Sequence, residues 1–127
     1  MRTAPTEPGG HGLLEGRTVV ITAAAGSGIG SAVARRCLLE GARIVISDAH
    51  ERRLGETADA LGEELGSRPA AIRCDVTQES DVRALLEGAI RELGHVDVWV
   101  NNAGLGGNGL VTELTDEQWG KVIDVTL

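Results

Sequence analysis

Four short apolar runs alternate with four stretches of helical spacing, and this alternation restricts the fold more than any other feature of the chain. The apolar runs cover residues 17–22, 42–47, 69–74 and 96–100. A nearly continuous apolar run is typical of a strand that is covered on both faces. The connections are long enough for crossover helices, which favours parallel pairing and right-handed crossovers. We therefore predict an α/β fold with a doubly wound parallel sheet in strand order 3-2-1-4.

The stretches between the runs carry capping signals and apolar stripes. They predict helices at residues 29–40, 50–65, 77–93 and 115–127. Glycines follow the first three, at Gly41, Gly66 and Gly94. Thr77 is predicted to cap the third helix, and Thr115 begins a capping box for the fourth. The predicted inward stripes are Ile29, Val33 and Cys37 in the first helix, Leu54, Ala58, Leu61 and Leu65 in the second, and Val82, Leu85, Leu86, Ala89, Ile90 and Leu93 in the third.

A glycine-rich segment joins the first strand to the first helix. Residues 23–30 read Ala-Ala-Ala-Gly-Ser-Gly-Ile-Gly. Small residues let the backbone approach a phosphate, and the helix that follows presents unpaired N–H groups to it. Gly26 and Gly28 fit the spacing G-x-G-x-x-G, but Ser31 stands at the third glycine position. The segment by itself therefore leaves two interpretations open, a phosphate-binding loop or an ordinary turn before a helix.

Composition excludes several classes of partner. The 127 residues carry a formal net charge of −7, which argues against a face for nucleic acid or an anionic membrane. We expect neither a membrane span nor a signal segment. Cys37 and Cys74 lack the spacing of a metal site, so we expect no metal, two free thiols and a cytoplasmic location. Residues 1–12 show no periodicity and are predicted to form a flexible tail.

Polar or glycine-containing segments follow all four predicted strands. Asp48 ends the second strand, Asp75 and Val76 follow the third, and residues 101–104 (Asn-Asn-Ala-Gly) follow the fourth. Asp48 lies 20 residues beyond Gly28, the distance at which an acidic residue reaches the ribose hydroxyls of a dinucleotide. Asp48 and Asp75 each fit an ordinary turn, whereas Asn-Asn-Ala-Gly after an apolar strand is rarer, because paired Asn side chains suit fixed hydrogen bonds to nearby backbone. Together they predict a ligand site at the carboxyl edge of the sheet.

These motifs resemble the N-terminal half of the short-chain dehydrogenase/reductase family, and the resemblance covers nearly all of residues 14–127. It implies a Rossmann-type sheet and a nicotinamide cofactor. It assigns Ser27, Gly28 and Ile29 to the pyrophosphate and Gly30 to close helix packing. Ala24 replaces the family's first glycine, and Gly26 is expected to supply the close approach instead. The resemblance further assigns Asp48 to the adenosine ribose, Asp75 and Val76 to the adenine, and Asn102, Ala103 and Gly104 to the inner ribose and to bracing the fourth strand.

Charge favours NAD over NADP in this interpretation. The Asp48 carboxylate can accept hydrogen bonds from a 2′-hydroxyl, and it repels a 2′-phosphate. Arg52 and Arg53 lie nearby in sequence and could offset part of that repulsion. We expect NAD, with NADP as the less favoured alternative.

The family's catalytic residues have no counterparts here. The chain has no Tyr, and its single lysine, Lys121, does not lie four residues after one. Thr126 stands where the family's fourth helix has Asn. The resemblance therefore predicts that residues 13–127 are the NAD-binding half-domain of a longer enzyme, inactive by themselves.

For the full-length form the resemblance implies an alcohol or ketone substrate, with 3-oxoacyl and 3-hydroxyacyl compounds as candidates, and a homo-oligomer that uses the fourth helix. Two alternatives stay open. One is a non-catalytic module that binds a dinucleotide or a partner. The other, which the glycine spacing disfavours, is a different Rossmann-type enzyme such as a sugar epimerase.

Overall fold

The computed structural model describes residues 3–127, and it contains four strands and four α-helices in strict alternation. The strands are β1 (Thr18–Ile21), β2 (Arg43–Asp48), β3 (Ala70–Arg73) and β4 (Val98–Val100). The helices are α1 (Ile29–Leu39), α2 (Glu51–Leu65), α3 (Glu79–Leu93) and α4 (Asp116–Thr126), with a short 3₁₀ turn at Val111–Glu113. Every predicted element is present, with ends that differ from the prediction by a few residues. None of the helices between residues 3 and 127 is long and apolar enough to cross a membrane.

The four strands form one parallel sheet in the order β3-β2-β1-β4, which confirms the predicted topology. Successive side chains of a strand point to opposite faces, so each face of the sheet has its own core. Ile21 and Ile46 pack toward α1 and α2, and Val20 and Val45 pack against α3. Because both faces are covered, the strands are apolar along nearly their whole length.

The apolar stripe of α1 differs from the prediction. Ile29 is 75% exposed, and the fully buried positions of α1 are Gly30 and Ala34. Val33 and Cys37 are partly buried at the margin of the core. Small residues take the central positions because α1 approaches the loop after β1 closely: a Cβ built on Gly30 would lie 2.5 Å from the carbonyl oxygen of Ala23.

The start of α3 also differs from the prediction. Its N-cap residue is Gln78, and no side chain caps the helix there. Thr77 instead turns back: its N–H and hydroxyl both donate to Oδ1 of Asp75, at 3.0 and 2.7 Å. The predicted stripe of α3 is correct for Leu85, Ala89 and Leu93 and wrong for Leu86 and Ile90, which are exposed. By contrast, the capping box predicted at Thr115 and Gln118 is present in full.

Residues 7–13 lie against the C-terminal half of α1. The Arg36 guanidinium donates to the carbonyls of Pro8 and Gly9, and the Glu40 carboxylate accepts the N–H groups of His11 (2.8 Å) and Leu13 (3.1 Å). Most of this segment falls within the predicted tail, and residues 1–2 of that tail lie outside the described range. Glu40 is thus a nearly buried carboxylate that anchors the chain before β1.

We expect Gly30→Ala to lower the free energy of unfolding by roughly 1–3 kcal/mol, because overpacking at a rigid contact forces the backbone to move. The new Cβ would lie 2.6 Å from Nδ2 of Asn102 as well as close to Ala23. Gly55→Ala is the matched control: it lies inside α2, its Cβ would meet nothing within 4 Å, and helix propensity predicts a gain of about 0.5–1 kcal/mol. Urea denaturation measures both. Wild-type stability in Gly30→Ala would contradict the close packing.

The Glu40 anchor predicts a pH-dependent stability. The His11 N–H, followed by that of Leu13 and the Arg36 guanidinium, lowers the pKa of Glu40 to about 2. A lowered folded-state pKa stabilises the fold above the unfolded pKa of about 4.5, and that contribution is lost as the pH falls toward 2. We expect Glu40→Gln to be less stable than wild type at pH 7, with the difference shrinking between pH 4.5 and 2. Glu63→Gln, on the exposed side of α2, is the control and is expected to show no such convergence.

Candidate functional site

A cavity of about 220 Å³ opens at the carboxyl edge of the sheet. Its lining includes five residues that the sequence assigned to a dinucleotide, namely Asp48, Asp75, Val76, Ala103 and Gly104. Ala23, Ala49, His50, Arg53, Cys74 and Val125 complete the wall. The structure therefore brings together the segments that follow β2, β3 and β4, as expected where parallel strands end side by side.

The loop between β1 and α1 forms a tight turn with two left-handed residues, Ala23 (φ +50°) and Gly26 (φ +83°). Ala24, at the position of the family's first glycine, is fully buried and belongs to the core that packs under α1. Its N–H donates to the carbonyl of Ser47 at 2.9 Å. The extra methyl group thus points into the core and leaves the cavity clear.

The N-terminus of α1 is open to solvent. Ser27, Gly28 and Ile29 are exposed there and do not line the cavity itself. The cap residue Gly28 has no side chain to satisfy the first N–H groups, which have no acceptor within the helix. The first turn of α1 has no acidic residue, whereas those of α2, α3 and α4 each carry at least one. The partial positive charge at this end of α1 is therefore available to an anion.

The Asp48 carboxylate is held at the mouth of the cavity by two backbone donors. Oδ2 accepts the N–H of Ala25 at 3.1 Å, and Oδ1 accepts the N–H of His50 at 2.9 Å. An ionised carboxylate has about four acceptor positions, so it can still accept hydroxyl groups of a ligand. Arg53 lines the same cavity, while Arg52 pairs with Glu56 along α2.

Asp75 is constrained at the end of β3. The Thr77 hydroxyl, with the Thr77 N–H, lowers the pKa of Asp75 below its usual value by donating to its carboxylate. The backbone N–H of Asp75 donates in turn to Oδ2 of Asp81, at 3.0 Å. These bonds fix the turn that carries Val76 to the cavity wall.

Asn102 is used to brace the loop after β1. Its Nδ2 donates to the carbonyls of Ala23 (3.1 Å) and Thr22 (3.3 Å). The Thr22 hydroxyl accepts the N–H groups of Asn102 and Ala103 and donates to the carbonyl of Val100. Sequence analysis missed the role of Thr22, although its place at the end of the first apolar run could have suggested it. His50, which lines the cavity, was also missed, and no sequence signal indicated it.

Lys121 and Thr126, which the sequence comparison set against the family's catalytic positions, lie on α4. Lys121 is exposed, and the hydroxyl of Thr126 accepts the N–H of Leu105 at 3.3 Å. The wall of the cavity has no Tyr, because the chain contains none, and it has no Lys. Its groups are suited to holding a ligand.

Comparisons with known proteins agree with this geometry. The chain is 54% identical over 127 residues, all of its own length and 48% of the relative's, to a Mycobacterium tuberculosis (5R,7aS)-5-hydroxy-7a-methyl-1-oxo-2,3,5,6,7,7a-hexahydro-1H-indene-carboxyl-CoA reductase. A solved short chain dehydrogenase from Mycobacterium smegmatis superposes with a TM-score of 0.93 at 57% identity, over 98% of this chain and 52% of that one.

An L-sorbose reductase from Gluconobacter frateurii, solved with NADPH and L-sorbose, superposes with a TM-score of 0.79 at 37% identity, over 88% of this chain and 42% of that one. The chain spans about half the length of these relatives. A family model described as short chain dehydrogenase matches residues 17–127. The chain therefore belongs to the short chain dehydrogenase family.

Proposed function

We propose that this chain binds NAD and forms the dinucleotide-binding half of an oxidoreductase that interconverts an alcohol and a ketone. The observation that carries the proposal is the placement of the Asp48 carboxylate at one cavity with Asp75, Val76, Ala103 and Gly104. The loop between β1 and α1, which donates to Asp48 through the Ala25 N–H, leads into the N-terminus of α1. The first turn of α1 has no acidic residue, which suits a pyrophosphate. A hydroxyl acceptor and an anion site on the same loop match the adenosine ribose and the pyrophosphate, which are adjacent groups of an ADP-ribose moiety.

Different residues would contact different groups of the cofactor. The N–H groups of Ser27, Gly28 and Ile29 would hold the pyrophosphate, Asp48 would accept the adenosine ribose hydroxyls, and Asp75 and Val76 would flank the adenine. Ala103 and Gly104, held by the Asn102 brace, would contact the inner ribose. When bound, the nicotinamide would supply or accept a hydride at the substrate carbon.

Electrostatics supports NAD over NADP. A 2′-phosphate at the ribose would approach the Asp48 carboxylate, and two like charges at short range repel strongly in a partly desolvated site. Arg53 is the cation on the cavity wall that could offset this repulsion. The L-sorbose reductase neighbour was solved with NADPH, which makes the choice of cofactor the first property to measure.

The proposed activity needs more groups than these residues supply. Reduction of a ketone needs a proton donor near the carbonyl as well as a hydride. The chain has no Tyr and spans about half of its relatives, so we propose that this donor and the substrate pocket lie in further sequence. The half-exposed Trp119 on α4 supports the related proposal that the full-length form is a homo-oligomer.

The missing Tyr also favours a second candidate, a module that binds a dinucleotide without chemistry. The two candidates predict different downstream sequences and different rates of NADH consumption. A gene that encodes a downstream Tyr-x-x-x-Lys segment, together with NADH consumption by the full-length product on a ketone panel, supports the oxidoreductase. A reading frame that stops at Leu127 supports the module.

We expect Asp48→Ala to weaken NADH binding by roughly five- to tenfold and to strengthen NADPH binding, so that the preference for NADH narrows. The reason is that the substitution removes both an acceptor for the 2′-hydroxyl and a charge that repels a 2′-phosphate. Isothermal titration calorimetry of both cofactors with both proteins measures this ratio. NADPH binding to the unmodified chain as tightly as NADH would refute the assignment to NAD.

Arg53→Ala provides a second test of the same electrostatics. We expect the variant to weaken NADPH binding at least threefold and to leave NADH nearly unchanged, because only the 2′-phosphate needs a nearby cation. Arg52→Ala is the matched control, since that guanidinium pairs with Glu56 and does not line the cavity. The same calorimetric titrations apply. Equal effects of the two arginine variants on NADPH would contradict a specific role for Arg53.

A further inference from the structure

A hydroxyl on α2 that is outside the lining of the cavity holds the glycine-rich loop. The backbone N–H of Gly26 donates to Oγ1 of Thr57 at 2.9 Å, across 31 residues of sequence. The same Oγ1 donates its proton to the carbonyl of Arg53 at 2.8 Å. Because the hydroxyl proton is committed to Arg53, a lone pair of Oγ1 is left to face Gly26.

Gly26 has few other contacts to fix its position. It is exposed, it adopts a left-handed φ of +83°, and a Cβ built on it would meet no atom within 4 Å. Side-chain packing therefore does not hold this part of the loop. The hydrogen bond to Thr57 instead ties Gly26 to an element 31 residues further along the chain.

The neighbouring N–H group is held in a related way. Ala25 donates to the Asp48 carboxylate, so two consecutive N–H groups of the loop are bound by acceptors from the end of β2 and from α2. The chain then turns through Ser27 into α1, whose first N–H groups have no acceptor within the helix. Asp48 and Thr57 therefore bind the N–H groups of Ala25 and Gly26, which shape the loop. The first N–H groups of α1 remain available to an anion.

If Thr57 only stabilised α2, its hydroxyl would need a hydrogen bond within that helix and none to the loop. Threonine hydroxyls in helices commonly donate to the carbonyl four residues earlier, as Thr57 does to Arg53, and this bond needs no loop. The bond accepted from Gly26 is additional, and a valine of the same shape would remove it while keeping the packing volume.

We propose that Thr57 is a positioning residue that presets the glycine-rich loop for the pyrophosphate of the cofactor. The inference rests on the proposed function, because it assumes that the loop binds a dinucleotide. Presetting the loop lowers the cost of ordering it when the cofactor binds.

The test compares Thr57→Val and Thr57→Ser with the unmodified chain. We expect Thr57→Val to weaken NADH binding by roughly three- to tenfold in calorimetric titration, the range that corresponds to one net hydrogen bond. Thr57→Ser keeps the hydroxyl and is expected to stay within twofold of wild type. In amide exchange measured by NMR without cofactor, the Gly26 amide is expected to exchange faster in the valine variant and to regain protection in the serine variant. Circular dichroism checks that both variants are folded.

The outcomes are separable. NADH binding and Gly26 exchange that are unchanged in a folded Thr57→Val variant would overturn the positioning role. An equal loss in the serine variant would assign the effect to packing of the methyl group and would overturn it as well. If Thr57→Val does not fold, Thr57→Ala, which also lacks the hydroxyl, takes its place and is compared with the serine variant by the same two criteria. No NADH binding by the unmodified chain would overturn the proposed function, and this inference with it.

Discussion

The contact between Gly30 and the backbone of the loop after β1 determines the rest of the site. A Cβ at Gly30 would lie 2.5 Å from the carbonyl oxygen of Ala23 and 3.0 Å from Cα of Ala24, so only glycine lets α1 begin this close to the end of the strand. That approach places the open N-terminus of α1 at the carboxyl edge of the sheet. It also leaves room for Nδ2 of Asn102, which would lie 2.6 Å from that Cβ and which ties the end of β4 to the same loop by donating to Ala23.

Polar bonds at both ends hold β4, which has only three residues in the sheet. At the amino edge, Oδ2 of Asp97 accepts the N–H of Thr18 at 2.9 Å, and the Asp97 N–H donates to the Thr18 hydroxyl. At the carboxyl edge, the Thr22 hydroxyl connects Val100 with Asn102. Because a short parallel strand has few ladder hydrogen bonds, these side chains hold β4 in register where apolar packing alone would allow it to slip.

Local signals predicted much of this structure correctly. The strand order followed from apolar runs, crossover length and handedness, and the capping box at Thr115 is a local motif that needs no tertiary partner. Local signals failed where a side chain had two possible partners or where the packed fold decided which face of a helix is buried. Thr77 was expected to cap α3, but its hydroxyl bonds to Asp75, and Ile29 fits the helical stripe yet lies at the loop end of α1, away from the core.

The sequence by itself determined the sheet, the order of its strands and the edge at which Asp48, Asp75 and Ala103 converge, because apolar periodicity and chain connectivity suffice for these. Tertiary structure decided which polar groups build the loop and which remain for a ligand. The bonds from Gly26 to Thr57, from Ala25 to Asp48 and from Asn102 to Ala23 join residues 23 to 79 positions apart. No local pattern specifies such pairs, since they depend on the distances between elements that only the packed fold defines.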